Sequence, residues 1–299
     1  VDEYTGLKFA WWNTRLTPPR GEPLIAPERH IVFAYLLKIL GGGVEMLALC
    51  EVANDDIDAL KGALAGSPYS VAPYFGSDNT GRFGICLIWK PDTITIISHD
   101  YIVDIVRGYS KRIAVRLTVS HNSGFVFDMF LVHWPSRLHM NEESASRELL
   151  GSALRRSVTH QHLQGQQHIV VMGDFNDEPF NDALTEGLRS TRDPNRASQQ
   201  SDLFYNPFWR HMAPATGHVW GQDASERQGS YYYRSHQLDR WRVIDQILFS
   251  SSFVMSDGVW QMVENGTHIS QDNELREIVE SSRSKIDHLP IFGEIRRKK

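Results

Sequence analysis

The stretch Ile169-Val170-Val171-Met172-Gly173-Asp174-Phe175-Asn176-Asp177 decides how this chain is read. Four consecutive apolar residues describe a strand covered on both faces, as in the middle of a sheet enclosed by other layers. Gly173 permits a sharp exit, so Asp174 and Asn176 are presented together at the strand's end, where binding groups collect. A carboxylate beside an amide suits a hard metal ion or a phosphate. Taken locally, the same residues also fit a turn whose Asx side chain caps a helix beginning near Glu178-Pro179.

The same pattern recurs along the chain. Phe9-Ala10-Trp11-Trp12-Asn13 ends in an amide, and Met46-Leu47-Ala48-Leu49-Cys50-Glu51 ends in a carboxylate. The strand Phe125 to Val132 delivers His133, Val243-Ile244-Asp245-Gln246-Ile247-Leu248 carries an Asp inside an apolar run, and Lys285-Ile286-Asp287-His288-Leu289-Pro290 closes the set. Singly, an Asp within a strand is ordinarily a solvent-facing alternation and a lone His a structural one. The ordered set WWN, LCE, LVHW, GDFND, RVIDQIL and IDHLP, however, resembles the endonuclease/exonuclease/phosphatase superfamily of deoxyribonuclease I-like and apurinic endonuclease-like phosphodiesterases. The resemblance spans Phe9 to Phe292, and the GDFN and DHLP pair is its most specific part.

That resemblance implies an α/β fold, a four-layered sandwich of two packed mixed β-sheets flanked by helices, formed by residues 1–299 as one domain. It also implies a Mg²⁺- or Mn²⁺-dependent hydrolase. Oxygen ligands are the ones Mg²⁺ prefers, which makes Glu51 the first candidate ligand, Asp287 the second, and Asn13 a close neighbour. Glu51 also fits a cap on a helix at Asn54 or a partner for an arginine. By the resemblance, Asp174 and Asn176 orient the attacking water or contact the phosphate and a second metal, while His288 donates to a phosphoryl oxygen or moves a proton. Asp245 then hydrogen-bonds His288, fixing its tautomer and raising its pKa. His133 matches a second, acid-type histidine of deoxyribonuclease-like members, although Trp134 replaces the commoner small aliphatic residue, and a packed histidine under a loop is the other reading.

Substrate contacts are expected in Tyr231 to Arg242, where aromatics alternate with arginines. Tyr232, Arg234 and Arg242 suit base stacking and phosphate contact, and Arg112, at the start of a strand, is a further phosphate candidate. The competing reading packs the Tyr and Trp rings in the sheet and leaves the arginines solvated.

Composition sets the outer limits. The 299 residues are 41% hydrophobic, enough for a sizeable core, and no apolar run approaches the ~18 residues of a membrane span. Cys50 and Cys86, the only cysteines, each lie in an apolar run and read as reduced, packed thiols. The formal charge of −5 opposes a bulk electrostatic grip on nucleic acid, but bound cations would neutralise several acidic groups. The chain begins at Val1, which leaves its native start open, and a cytoplasmic location is expected over a secreted one.

Periodicity predicts helices over Glu28 to Leu40, from Asn54 or Asp55 to Leu64, over Glu142 to Gln164 and over Asp182 to Leu188. It predicts an antiparallel meander from Ile85 to Val132, strands over Val243 to Ser250, Gly258 to Val263 and Ile291 to Ile295, and mostly loop between Arg189 and Arg242. The functional expectation is a metal-dependent phosphodiesterase acting on nucleic acid, as an endonuclease or exonuclease. The alternative is a phosphoesterase for a small molecule or lipid headgroup; the chain lacks the Pro-x-Trp-Cys pattern of inositol 5-phosphatases and any evident lipid-docking insert. An inactive binding module would be expected to lose a ligand or His288, and every motif position here holds a competent residue.

Overall fold

The strands pair into two seven-stranded mixed sheets in the computed structural model, which describes residues 5–75, 84–106, 108–136, 144–213 and 229–298. The first sheet has the order β14 (Trp260–Met262), β16 (Ile291–Arg297), β1 (Gly6–Asn13), β2 (Met46–Cys50), β4 (Ile85–Trp89) and β3 (Ser70–Tyr74), with β15 (His268–Ile269) also on β16. The second runs β5 (Ile94–Val106), β6 (Tyr109–His121), β7 (Val126–His133), β8 (Ile169–Asp174), β13 (Asp245–Ser250), β10 (Phe204–Tyr205) and β9 (Ser190–Thr191). A separate ribbon pairs β11 (Tyr231–Tyr232) with β12 (Trp241–Arg242).

Burial follows from this layering. Along β8, Val170 and Met172 join the apolar cluster between the sheets, whereas Ile169 and Val171 join a second cluster under a helix. Successive side chains of a strand point to opposite faces, so a strand covered on both sides must be apolar throughout. Phe9 of β1 and Phe249 of β13 meet across the sheets with ring centroids 6.4 Å apart. Helices α1 (Ala26–Gly41), α2 (Asn54–Ala63) and α5 (Asn273–Glu280) contribute Leu36, Leu60 and Leu275 to the first sheet's cluster, and α3 (Ser144–Leu163) contributes Leu150, Leu154 and Val158 to the second's. The result is the expected helix–sheet–sheet–helix sandwich.

Several local expectations need correction. The meander over Ile85 to Val132 is divided: β4 pairs with β2 in the first sheet, and the chain crosses at Pro91-Asp92 to begin β5 in the second. Alternation reports which face is buried, not which sheet a strand joins. The first helix starts two residues early because Pro27 fits its first turn, where no intrahelical N–H bond is lost. At the start of α2, the buried Asp56 carboxylate, not Asn54 or Asp55, accepts the Ala53 N–H at 2.7 Å. The helix expected near Asp182 is a π-helical turn, Ala183–Gly187. Helix α5, edge strand β3 and a short helix α4 (Pro194–Gln199) add to the expected elements, and residues 142–143 and 214–228 lie outside the described residues.

Strand β8 also does not end at Gly173. It runs on to Asp174, which pairs with His133 of β7 on one side and Asp245 of β13 on the other. Glycine is needed there because a Cβ would lie 1.9 Å from the Val132 carbonyl oxygen. Cys50 and Cys86 are buried free thiols, and among the described residues no helix is long and apolar enough to cross a membrane.

Candidate active site

Strand register places the polar motif ends at one edge of the sandwich. In the first sheet Asn13 lies beside Cys50, so Glu51 follows directly; in the second, His133, Asp174 and Asp245 are neighbours across three strands. Two side-chain bonds tie the sheets together there. Asn13 Nδ2 donates to Asp174 Oδ2 at 3.1 Å, and the Trp11 indole donates to Asp245 Oδ1 at 3.1 Å. Trp12, on the opposite face of β1, donates its indole N–H to the His288 carbonyl at 3.1 Å. The two tryptophans thus hold the base of the site, a role that aromatic bulk in the sequence did not reveal.

His288 is the best-defined group. It is buried, its Nδ1 lies 2.8 Å from Asp245 Oδ2, and its Nε2 lies 4.0 Å from Asp174 Oδ2. Burial alone would lower the imidazole pKa, but Asp245, Asp174 and Asp287 together outweigh it and raise it to about 10. These carboxylates favour the protonated ring, whose Nε2 is aimed at the Asp174 side. Asp174 is itself raised, by burial first and Asp245 second. It accepts the Asn176 N–H at Oδ1, 2.8 Å away, and Asn176 Nδ2 donates to the Trp134 carbonyl at 2.9 Å.

Glu51 sits across from this pair. Its Oε1 is 3.3 Å from Asn13 Nδ2 and 3.7 Å from His133 Nε2, and its carboxyl is pushed up to about 7 by burial and then by Asp287. Asp287 is also raised by burial, lies 3.5 Å from Arg15 Nε, and has one buried oxygen, Oδ1, without a hydrogen-bond partner. Two desolvated carboxylates that repel each other, one of them with an unsatisfied oxygen, fit a hard divalent cation, which would offset their repulsion. Asp174, Asp245 and His288 also offer ligand atoms within 4.8 Å of one another. Asp245, however, spends its oxygens on Trp11 and His288, so it serves better to orient the imidazole than to hold an ion.

Backbone strain collects here. Arg15, Glu51 and Asn176 have φ of 53°, 57° and 51°, a left-handed region that non-glycine residues rarely adopt and that persists only where the surroundings hold it.

His133 is buried, and burial, Arg112 and His288 lower its pKa to about 3. The lowered pKa favours the neutral imidazole, which can hydrogen-bond a phosphoryl oxygen. The bulky Trp134 beside it is accommodated by a bond from its indole to the Ile113 carbonyl and by edge-on packing against Phe175 at 5.2 Å. Arg112 lies close enough to influence His133 and donates to the Phe75 carbonyl at 2.7 Å.

The expected substrate rim is only partly at the site. Arg234 is drawn inward, donating to the carbonyls of Val279, Ser281 and Ile286, and Tyr232 packs on Trp241 at 5.0 Å. Arg242 pairs at 3.6 Å with Glu178 and 3.5 Å with Asp239. The alternate ring, Tyr231, is the one facing the site, 4.7 Å from the His288 ring, with Tyr233 stacked behind it at 6.1 Å. A run of three tyrosines signals an aromatic surface, but only the strand's pleat decides which ring faces which way. Arg15 was also missed, although its position two residues after Asn13 was a signal.

A sequence model of the Endonuclease/Exonuclease/phosphatase family matches residues 32–287. No curated protein matches the sequence. Among solved structures, the catalytic domain of human Nocturnin with bound sulfate superposes with a TM-score of 0.64 at 16% identity, covering 100% of this chain and 97% of that one. D. rerio TDP2 complexed with a single-strand DNA product gives 0.61 at 13%, covering 97% and 99%. The mannosyl-6-phosphatase of Bacteroides thetaiotaomicron VPI-5482 gives 0.58 at 12%, covering 97% and 99%. These likenesses establish the fold, and the sequence match over most of the length establishes kinship. The chain belongs to the endonuclease/exonuclease/phosphatase family, whose members are phosphodiesterases and phosphatases.

Proposed function

We propose that this protein is a divalent-cation-dependent hydrolase that cleaves phosphodiesters of nucleic acid. The observation that carries the reading is the geometry of His288, held through Nδ1 by Asp245 and presenting Nε2 4.0 Å from the Asp174 carboxylate. A hydrogen-bond donor and an acceptor thus stand side by side in a buried, water-poor corner, where their electrostatic effect is large. His288 Nε2–H donates to a phosphoryl oxygen and stabilises the charge that builds there. Asp174, kept in place by Asn13 and Asn176, accepts the proton of the attacking water. Mg²⁺ or Mn²⁺, held by Glu51 and Asp287 beside Asn13, would supply further charge neutralisation at the phosphate. His133 and Arg112 border the same space and supply a neutral donor and a fixed positive charge.

Nucleic acid is supported by the rings of Tyr231 and Tyr233 beside His288, which suit stacking of unpaired bases, and by the DNA product carried by the TDP2 relative. A small phosphoester is the second reading. It is favoured by the inward turn of Arg234, which removes one expected backbone contact, and by the phosphatase activity named for the Bacteroides relative. The discriminating experiment incubates the protein with labelled single- and double-stranded DNA, RNA, inositol phosphates, sugar phosphates and sphingomyelin, with Mg²⁺ or Mn²⁺ and then with chelator. Chelator-sensitive cleavage of oligonucleotides is expected. Turnover confined to sugar or inositol phosphates would replace the nuclease reading with the second one.

A further inference from the structure

Helix α3 carries one charged group that reaches the active-site edge from behind. Arg147 is 3% exposed, and among the described residues its guanidinium bonds go to the loops that follow β7 and β8. Its Nε lies 2.5 Å from Asp177 Oδ2, one terminal nitrogen donates to the Pro135 carbonyl at 2.9 Å, and the other to the Phe175 carbonyl at 2.7 Å. Pro135 is two residues beyond His133, and Phe175 separates Asp174 from Asn176. Asp177, the counter-ion, is 1% exposed, and its carbonyl accepts from Gln246 of β13 at 2.7 Å.

We propose that Arg147 is a positioning residue for the reaction, setting the separation of His133 from Asp174 and Asn176 by clasping both strand-end loops in one rigid fork. The inference rests on the hydrolase reading above. Parallel strands β7 and β8 are joined by their ladder only as far as His133 and Asp174. Beyond that point the Trp134 N–H still donates to the Asp174 carbonyl at 2.9 Å. Further out the loops are held by Asn176 to the Trp134 carbonyl and by Arg147, while Asn176 occupies a left-handed conformation that needs outside support. A planar guanidinium bonds two carbonyls and a carboxylate at once, a geometry that an ammonium on a flexible stem does not reproduce. Being buried, the Arg147–Asp177 pair is not a source of great stability, but its geometry gives it directional control.

The test compares Arg147→Lys and Asp177→Asn with the wild type, using bis(p-nitrophenyl) phosphate with Mg²⁺ or Mn²⁺, Mg²⁺ titration, and amide hydrogen exchange. Expected is a loss of about 10- to 100-fold in kcat per folded molecule, the scale seen when a supporting group or a small displacement is at stake. KM and Mg²⁺ affinity should stay near wild type, because Glu51 and Asp287 lie on the segments that follow β2 and precede β16 of the other sheet. Protection of the Trp134 and Asn176 amides should fall by about 10-fold, one hydrogen bond's worth, with the Leu47 and Leu248 amides unchanged. Wild-type kcat with wild-type protection in a folded variant would overturn the proposal. So would uniformly faster exchange, which marks a merely structural role. If Arg147→Lys fails to fold, Asp177→Asn decides by the same measurements. A wild type inactive on every phosphoester would instead defeat the hydrolase reading, and the exchange pattern would then decide whether Arg147 holds the two loops.

Discussion

Glu51→Gln is expected to stabilise the cation-free protein and to abolish its stabilisation by Mg²⁺. The Glu51 side chain is 14% exposed, and its carboxyl is raised from 4.5 to about 7 by burial and by Asp287. Below the unfolded value both states are protonated and the group is neutral to folding. Between 4.5 and about 7 the unfolded chain ionises while the folded one stays protonated, so stability falls as pH rises. Above about 7 the cost is constant, and the interval corresponds to about 3 kcal/mol. Glutamine keeps the shape and the bond to Asn13 without the charge. Urea denaturation in EDTA should therefore show the two proteins alike near about pH 4 and the variant up to about 3 kcal/mol more stable near about pH 8. Adding Mg²⁺ at about 100 times its Kd should raise the wild type by about 2.7 kcal/mol and the variant by far less. If the variant gained as much from Mg²⁺ as the wild type, or showed no pH-dependent advantage without it, the assignment of Glu51 as a desolvated metal ligand would be wrong.

Three other perturbations probe separate parts of the site. His288→Ala and Asp245→Asn should lose turnover as a unit, the double variant falling little below the worse single one; losses that add in full in ΔΔG‡ would show that the pair does not work together. Tyr233→Ala should raise KM for oligonucleotides several-fold and leave a minimal aryl phosphodiester unaffected, since a stacked base contributes about 1 to 3 kcal/mol, whereas Arg234→Ala should lower the unfolding midpoint and leave KM alone. Equal KM effects of the two would refute the division between rim and scaffold. Gly173→Ala should cost about 3 kcal/mol or more by thermal denaturation, because its methyl group meets the Val132 carbonyl and β7 must give way; an unchanged Tm would refute that contact.

Much of the site was legible because its chemistry is tied to strand ends. Apolar runs closed by Asn13, Glu51, His133 and Asp174 announced both the strands and the groups they deliver, and their order along the chain was enough for kinship and fold. Asp245 was legible only through the family resemblance, because locally a carboxylate in a strand also fits a solvent-facing position; the structure pairs it with His288. Local pattern, by contrast, carried no information on which sheet β4 joins, which of three adjacent tyrosines faces His288, or where the Arg234 guanidinium turns. Those outcomes depend on pairings between residues far apart in sequence and on the pleat that their register imposes. The charge states were decided at the same level. His133 and His288 are the same residue type, yet burial and Arg112 lower the proton affinity of one while Asp245, Asp174 and Asp287 raise that of the other. The sequence by itself determined the kinds of group available and the strands that carry them. Only the tertiary structure set their distances and desolvation, on which metal fit and proton affinity depend.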